Sequence, residues 1–100
     1  PGTSALTPAA KNVLRQVSMK LKSSGKAWAI EGHLDALGEE SVNVLLSKKR
    51  AEAVLTLLKS SGVPAAKLNA KGLGSAKPVA SNQSKSGRAQ NRRVEIIPKK

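Results

Sequence analysis

The chain of 100 residues contains no cysteine, phenylalanine or tyrosine, and Trp28 is its one aromatic residue. Without cysteine there are no disulfides, no thiolate zinc sites and no cysteine nucleophiles, and the redox compartment stays open. With so few aromatics, a core must be assembled from Leu, Val, Ile and Ala, which bury less area per side chain than rings do. No apolar run approaches the roughly 20 residues that span a bilayer, and the N-terminus lacks the basic-then-apolar pattern of a secretion signal. For a chain that works in a cell envelope, the targeting segment and membrane anchor are therefore expected outside this sequence. Acidic residues are scarce too: 6 Asp and Glu stand against 18 Lys and Arg, a net charge of +12. Such a field attracts polyanions without specifying one. Nucleic acid, anionic lipid and anionic cell wall all remain open, beside a solvated basic surface that serves solubility.

The length and a 39% hydrophobic content suit one domain, residues 1–100, with one modest core. Thr7 before Pro8 reads as a helix N-cap and first helical residue, since the hydroxyl accepts an orphan amide and proline has none to lose. Ala10, Val13, Leu14, Val17 and Leu21 recur at helical spacing until Gly25 offers a left-handed stop. Residues 26–31, KAWAIE, suit a buried strand that ends at Gly32 and has Trp28 and Ile30 on one face. A second helix is expected after Gly38, with Glu39 and Glu40 at its positive end and Ser41 as a cap. Its core stripe is Ala51, Val54, Leu55 and Leu58, and it runs to about Ser60, before Gly62 and Pro64. Residues 67–73 alternate weakly as a strand, and Gly74 to Gly87 is rich in Ser, Pro, Asn and Gly and reads as a loop. Residues 92–97 alternate again, with Arg92, Val94 and Ile96 on one face and Arg93, Glu95 and Ile97 on the other. The order helix, strand, helix, strand, loop, strand predicts an α/β sandwich with two helices on one face of a small mixed sheet.

A polar row stands on the second helix where an apolar one is expected. Asn43, Ser47 and Arg50 lie at i, i+4 and i+7, and the next residue on the row is Val54. The row spans about 10.5 Å and would line a groove two turns long, which Asp35 can reach from the preceding loop. A carboxylate, an amide and a guanidinium together suit an amino-acid-like group: Asp35 accepts from its ammonium, Arg50 grips its carboxylate, and Asn43 bridges. The competing reading is an internal Asp35–Arg50 ion pair that fixes the loop to the helix. His33 has no second ligand at metal spacing and reads as structural. Glu39 and Glu40 do not face each other as catalytic carboxylates must, and Ser47 has no histidine partner in the sequence. Neither a metal nor a cofactor is expected, and no enzyme activity.

GHLD at residues 32–35, NVLLS at 43–47, and Arg50 with Ala51 resemble the GHTD, N..LS and RA signature of OmpA-like domains. GLGSAKPVASN (72–82) and GRAQNRRVEI (87–96) resemble the loop and closing motif of that family, and SALTPAAKNVL resembles its first helix. The resemblance covers almost the whole chain in order. It implies an α+β, β-α-β-α-β-β two-layer sandwich, helices on one face, that docks bacterial envelope proteins onto peptidoglycan through diaminopimelate in the stem peptide. On matching positions Asp35 and Arg50 would be the principal ligand contacts, with Asn43 assisting and Arg92 supporting the pocket. Arg88 is expected to be structural. The expected location is the periplasm or cell envelope of a bacterium. Leu34 stands where the family usually has threonine and Val42 where an aromatic is common, so ligand choice is expected to shift with them. The family's first strand would precede Ser4, where only Pro1 to Thr3 stand, so either the sheet is short of that strand or the sequence starts at an artificial boundary. The alternatives are a basic nucleic-acid- or polyanion-binding module, which lacks aromatic stacking platforms here, and a structural domain of a stator or secretion complex.

Overall fold

The computed structural model of the protein describes residues 6–36 and 38–99. Helix α1 (Pro8–Ser24) begins as the sequence predicts, with Thr7 Oγ1 accepting from the Ala10 amide at 3.1 Å, and ends at Gly25 with φ +67°. Strand β1 (Trp28–His33), helix α2 (Glu40–Ser60), a short 3-10 turn (Ala65–Lys67), strand β2 (Leu68–Gly72), helix α3 (Lys85–Asn91) and strand β3 (Arg93–Pro98) follow. The sheet order is β2-β1-β3, with β1 parallel to β2 and antiparallel to β3. This is the mixed sheet of an α+β sandwich.

Both long helices pack on one face, because the strands turn their apolar sides the same way. Leu21 of α1, Ile30 of β1, and Ala51, Val54 and Leu58 of α2 form a buried cluster with Val63, and Trp28, Val94 and Ile96 pack against it. Gly32 sits directly beneath α2, with its Cα facing the Ser47 backbone. That contact explains why β1 continues through Gly32 to His33 and does not stop at the glycine. The missing side chain lets a helix backbone approach a strand, a different use of glycine from a turn.

Three further expectations need correction. The stretch Gly74 to Gly87 is not loop throughout, since α3 begins at Lys85 with Ser84 as its N-cap, its hydroxyl accepting from Gly87 N at 2.9 Å. Ser41 lies inside α2, which starts at Glu40 with no side-chain cap; Glu40 instead accepts from the Ser75 amide at 2.9 Å and from its hydroxyl. Arg92 does not belong to the last strand. It is the C-cap of α3, and the final β1–β3 pair is His33 with Arg93, so β1 offers Arg92 no strand partner. Val94 and Ile96 do share the core face, as alternation predicts. The strand that the family resemblance puts before Ser4 lies outside the described residues.

Candidate functional site

The C-terminal end of β1 delivers Asp35 to the end of the sheet where α2 begins. Leu34 N donates to Gly74 O at 2.8 Å, which ties this crossing to the loop after β2, and Ser47 Oγ accepts from Gly74 N at 3.0 Å. Ser47 therefore belongs to the scaffold, pinning α2 to that loop. Asp35 is 6% exposed and Asn43 is 8% exposed. Asn43 Nδ2 donates to Asp35 O at 3.4 Å, so the amide holds the loop backbone, while Arg92 Nη1 donates to Asp35 Oδ2 at 2.6 Å. Arg50 is half-buried on α2 close enough to sense both groups. Burial and then the neighbouring Arg92 cation lower its pKa, and Asp35 raises it.

The four residues singled out in the sequence thus converge: one carboxylate, one amide and two guanidinium groups at one end of the sandwich. The Asp35 ion pair is made to Arg92, which the alternation argument had placed on the strand. From the end of α3 its guanidinium reaches the loop after β1. A cluster of two cations and one anion, tied together by hydrogen bonds, suits a ligand that carries at least one carboxylate.

Sequence reasoning missed the residues that hold the far wall. Asn91 is fully buried; its Oδ1 accepts from Val79 N at 2.8 Å and Ala80 N at 3.0 Å, and its Nδ2 donates to Ala80 O at 3.0 Å and Asn82 Oδ1 at 2.7 Å. Asn82 Oδ1 also accepts from Ala36 N at 3.2 Å, which couples the loop to the backbone beside Asp35. Arg88 donates to Asn82 O at 3.1 Å, in the structural role expected of it. The available signal was two asparagines in a Ser- and Gly-rich stretch, since Asn side chains replace missing backbone partners in irregular segments. Asn91→Ala is expected to cost about 2–4 kcal/mol in urea unfolding, because several loop amides and carbonyls lose partners together. A loss under about 1 kcal/mol would mean that the loop is held elsewhere.

His33 is structural in placement, buried on the sheet face away from the helices, and neither ring nitrogen has a hydrogen-bond partner among the described residues. Glu95 and Glu31 lie at 3.7 and 3.9 Å, too far for hydrogen bonds. Burial and then the Arg93 cation lower its pKa from 6.5, with Lys77 adding to this and Glu95 and Glu31 opposing. Neutral His33 therefore contributes stability that is present above pH 6.5 and lost as pH falls through its lower folded-state pKa. Melting curves between about pH 7.5 and about pH 5 should show a smaller acid loss in His33→Gln than in wild type. Equal slopes would remove His33 from the acid response.

Among the described residues no group of three His, Cys, Asp or Glu side chains sits together as metal ligands would, and no helix is long and apolar enough to cross a membrane.

A profile of the OmpA family matches residues 1–92. The chain belongs to the OmpA family. As a family member it is 41% identical over 93 residues to the outer-membrane lipoprotein YfiB of Pseudomonas aeruginosa, covering 92% of this chain and 55% of that protein. It is 43% identical over 94 residues to the peptidoglycan-binding protein ArfA of Mycobacterium tuberculosis, covering 93% of this chain and 29% of that one. The chain thus spans about half the length, or less, of these relatives. The crystal structure of the peptidoglycan-associated lipoprotein from Burkholderia pseudomallei superposes with a TM-score of 0.91 at 33% identity, over 98% of this chain and 84% of that one. Relatives of this kind are outer-membrane or periplasmic proteins, and this OmpA-family chain is a bacterial envelope domain.

Proposed function

We propose that residues 1–100 form a single non-catalytic domain that binds peptidoglycan and anchors an envelope protein to the cell wall. It does so by gripping the diaminopimelate of the stem peptide with Asp35, Asn43, Arg50 and Arg92. The observation that carries this reading is the Asp35 carboxylate set against Arg92, with Arg50 beside it, at the rigid end of the sheet. The free end of diaminopimelate bears an ammonium and a carboxylate on one carbon. Asp35, oriented by Arg92, receives the ammonium; Arg50 makes the two-pronged contact with the carboxylate; Asn43 assists by holding the Asp35 loop. Relatives whose names include peptidoglycan binding, and a cell wall anchor of a type VI secretion system from Pseudomonas aeruginosa at 29% identity and TM-score 0.85, support the wall-binding part of this reading.

Co-sedimentation with purified sacculi and with DNA across a salt series tests the reading. Sacculus binding should persist at moderate salt and fall in Asp35→Ala and Arg50→Ala, while any DNA binding follows ionic strength alone. Sacculus binding that tracks ionic strength and ignores both substitutions would sink the groove. Release of soluble muropeptides from sacculi would refute the non-catalytic part.

A further inference from the structure

Charge is segregated along this chain. All six acidic residues fall within residues 31–52 or at 95, and residues 1–30 and 53–94 contain none. Asp35, Glu39 and Glu40 stand at the groove end, Glu31 and Glu95 face each other across β1 and β3, and Glu52 lies exposed on α2. At the opposite end α1 and α2 finish, β1 and β2 begin and β3 runs out, and there the charges are lysines: Lys20, Lys22, Lys26, Lys59, Lys67 and Lys99. Their convergence is fixed by contacts. Lys22 Nζ donates to Ser61 O at 3.4 Å, Lys67 Nζ to Gly25 O at 2.6 Å, and Lys99 N to Ala27 O at 2.9 Å, while Trp28 pairs with both Leu68 and Pro98.

Lys22 and Lys67 are accounted for, since each donates to a carbonyl at or just beyond a helix C-terminus. Lys59 sits in the last turn of α2, where a cation suits the dipole. Lys26 directly follows Gly25, the α1 cap, where a cation suits that dipole too. Lys20 lies before the last turn of α1 and Lys99 follows a strand, which has little net dipole, so that explanation does not reach these two. Lys20, Lys26, Lys59 and Lys99 are all exposed.

We infer that this lysine pole is a docking surface for the anionic phosphate headgroups of a phospholipid bilayer. Ammonium groups on a folded surface adsorb at headgroup depth. Single-stranded nucleic acid is a poorer fit, because stacking needs aromatic platforms and Trp28 is partly buried in the core. An envelope location keeps lipid headgroups within reach. From Asn43 to Lys59 is about 24 Å along α2, so groove and pole can be occupied together. The bridging of wall and membrane rests on the wall-binding reading; the bilayer contact itself does not.

The test is flotation of the 100-residue chain with vesicles of phosphatidylcholine alone or with about one-third phosphatidylglycerol. Binding to the anionic vesicles is expected at low salt, absent from neutral ones and lost by about 0.5 M NaCl. The joint variant Lys20→Gln, Lys26→Gln, Lys59→Gln and Lys99→Gln should lose more than about tenfold in partitioning. A charge-matched variant at Lys11, Lys48, Lys49 and Lys85 should stay within about twofold of wild type. Equal losses in the two variants would reduce the effect to net charge and overturn the pole, as would no binding to anionic vesicles. Loss of duplex DNA binding in the pole variant with vesicle binding intact would overturn it in favour of nucleic acid. Sacculus binding should be unchanged in the pole variant and reduced in Asp35→Ala, so failure of the wall reading and failure of this one give different results.

Discussion

Gly32→Ala is expected to destabilise the domain by more than about 3 kcal/mol, lowering its melting temperature by over ~10 °C or preventing folding. An added Cβ would overlap the Ser47 carbonyl oxygen and lie 2.8 Å from its carbon and 3.3 Å from its Cα. All three atoms are helix backbone, so nothing can rotate aside. Relief requires lifting α2 from β1, which loosens the Ser47–Gly74 hydrogen bond and the packing of Ala51 and Val54 on the sheet. Gly25→Ala is the control. Its Cβ would meet nothing within 4 Å, so only the left-handed φ of +67° is penalised, by about 1 kcal/mol. Thermal melting of the two variants should separate them clearly. Equal losses would mean that the strand–helix approach at Gly32 is not as close as described.

The second large effect is on binding, and Asp35→Asn reads it with less disturbance of folding than removal of the side chain. Removing the side chain would take from Arg92 both the charge and the oxygen it donates to, which confounds affinity with stability. Asparagine keeps the shape and an oxygen for Arg92 but loses the charge that an ammonium requires. Loss of a hydrogen bond to a charged group costs about 1.5–3 kcal/mol, so stem-peptide affinity should fall roughly tenfold to a hundredfold, with the fold retained at a melting temperature lowered by loss of the Arg92 ion pair. Arg50→Lys should show a comparable loss, because a point-charge ammonium cannot reproduce a planar two-pronged contact with a carboxylate. Preserved affinity in both variants would move the ligand away from this pocket.

Much of this arrangement was legible in the sequence, for reasons that residues make plain. The Thr7–Pro8 start and Gly25 stop of α1 are local chemistry, and the Ala51, Val54 and Leu58 stripe is periodic, so both survive into the structure. The convergence of Asp35, Asn43 and Arg50 followed from helical spacing and one loop. What could not be read was set by long-range contacts. Helix α3 has only Ala89 as an apolar side chain and carries Gly87, so it shows no amphipathic period. It is held by Asn91, by Arg88 and by the close approach of Gly87 to the Ser81 carbonyl. Arg92 was assigned to the right neighbourhood through alternation, yet it reaches Asp35 as a helix cap. Gly32 was read as a strand end because a glycine beside a strand signals a turn as readily as a helix contact. Leu34, in the place of a threonine, is buried, and Val42 is 57% exposed beside Asn43. Both substitutions therefore change the apolar surroundings of the pocket more than its charged groups.

The most direct test of the central claim is calorimetric titration of the chain with a stem peptide containing diaminopimelate, alongside the same peptide containing lysine. Lysine keeps the ammonium for Asp35 but has no carboxylate for Arg50. Micromolar binding of the diaminopimelate peptide, at least about tenfold tighter than the lysine peptide and weakened at least about tenfold in Asp35→Asn, is the predicted result. Equal binding of the two peptides, or unchanged binding in Asp35→Asn, would contradict it.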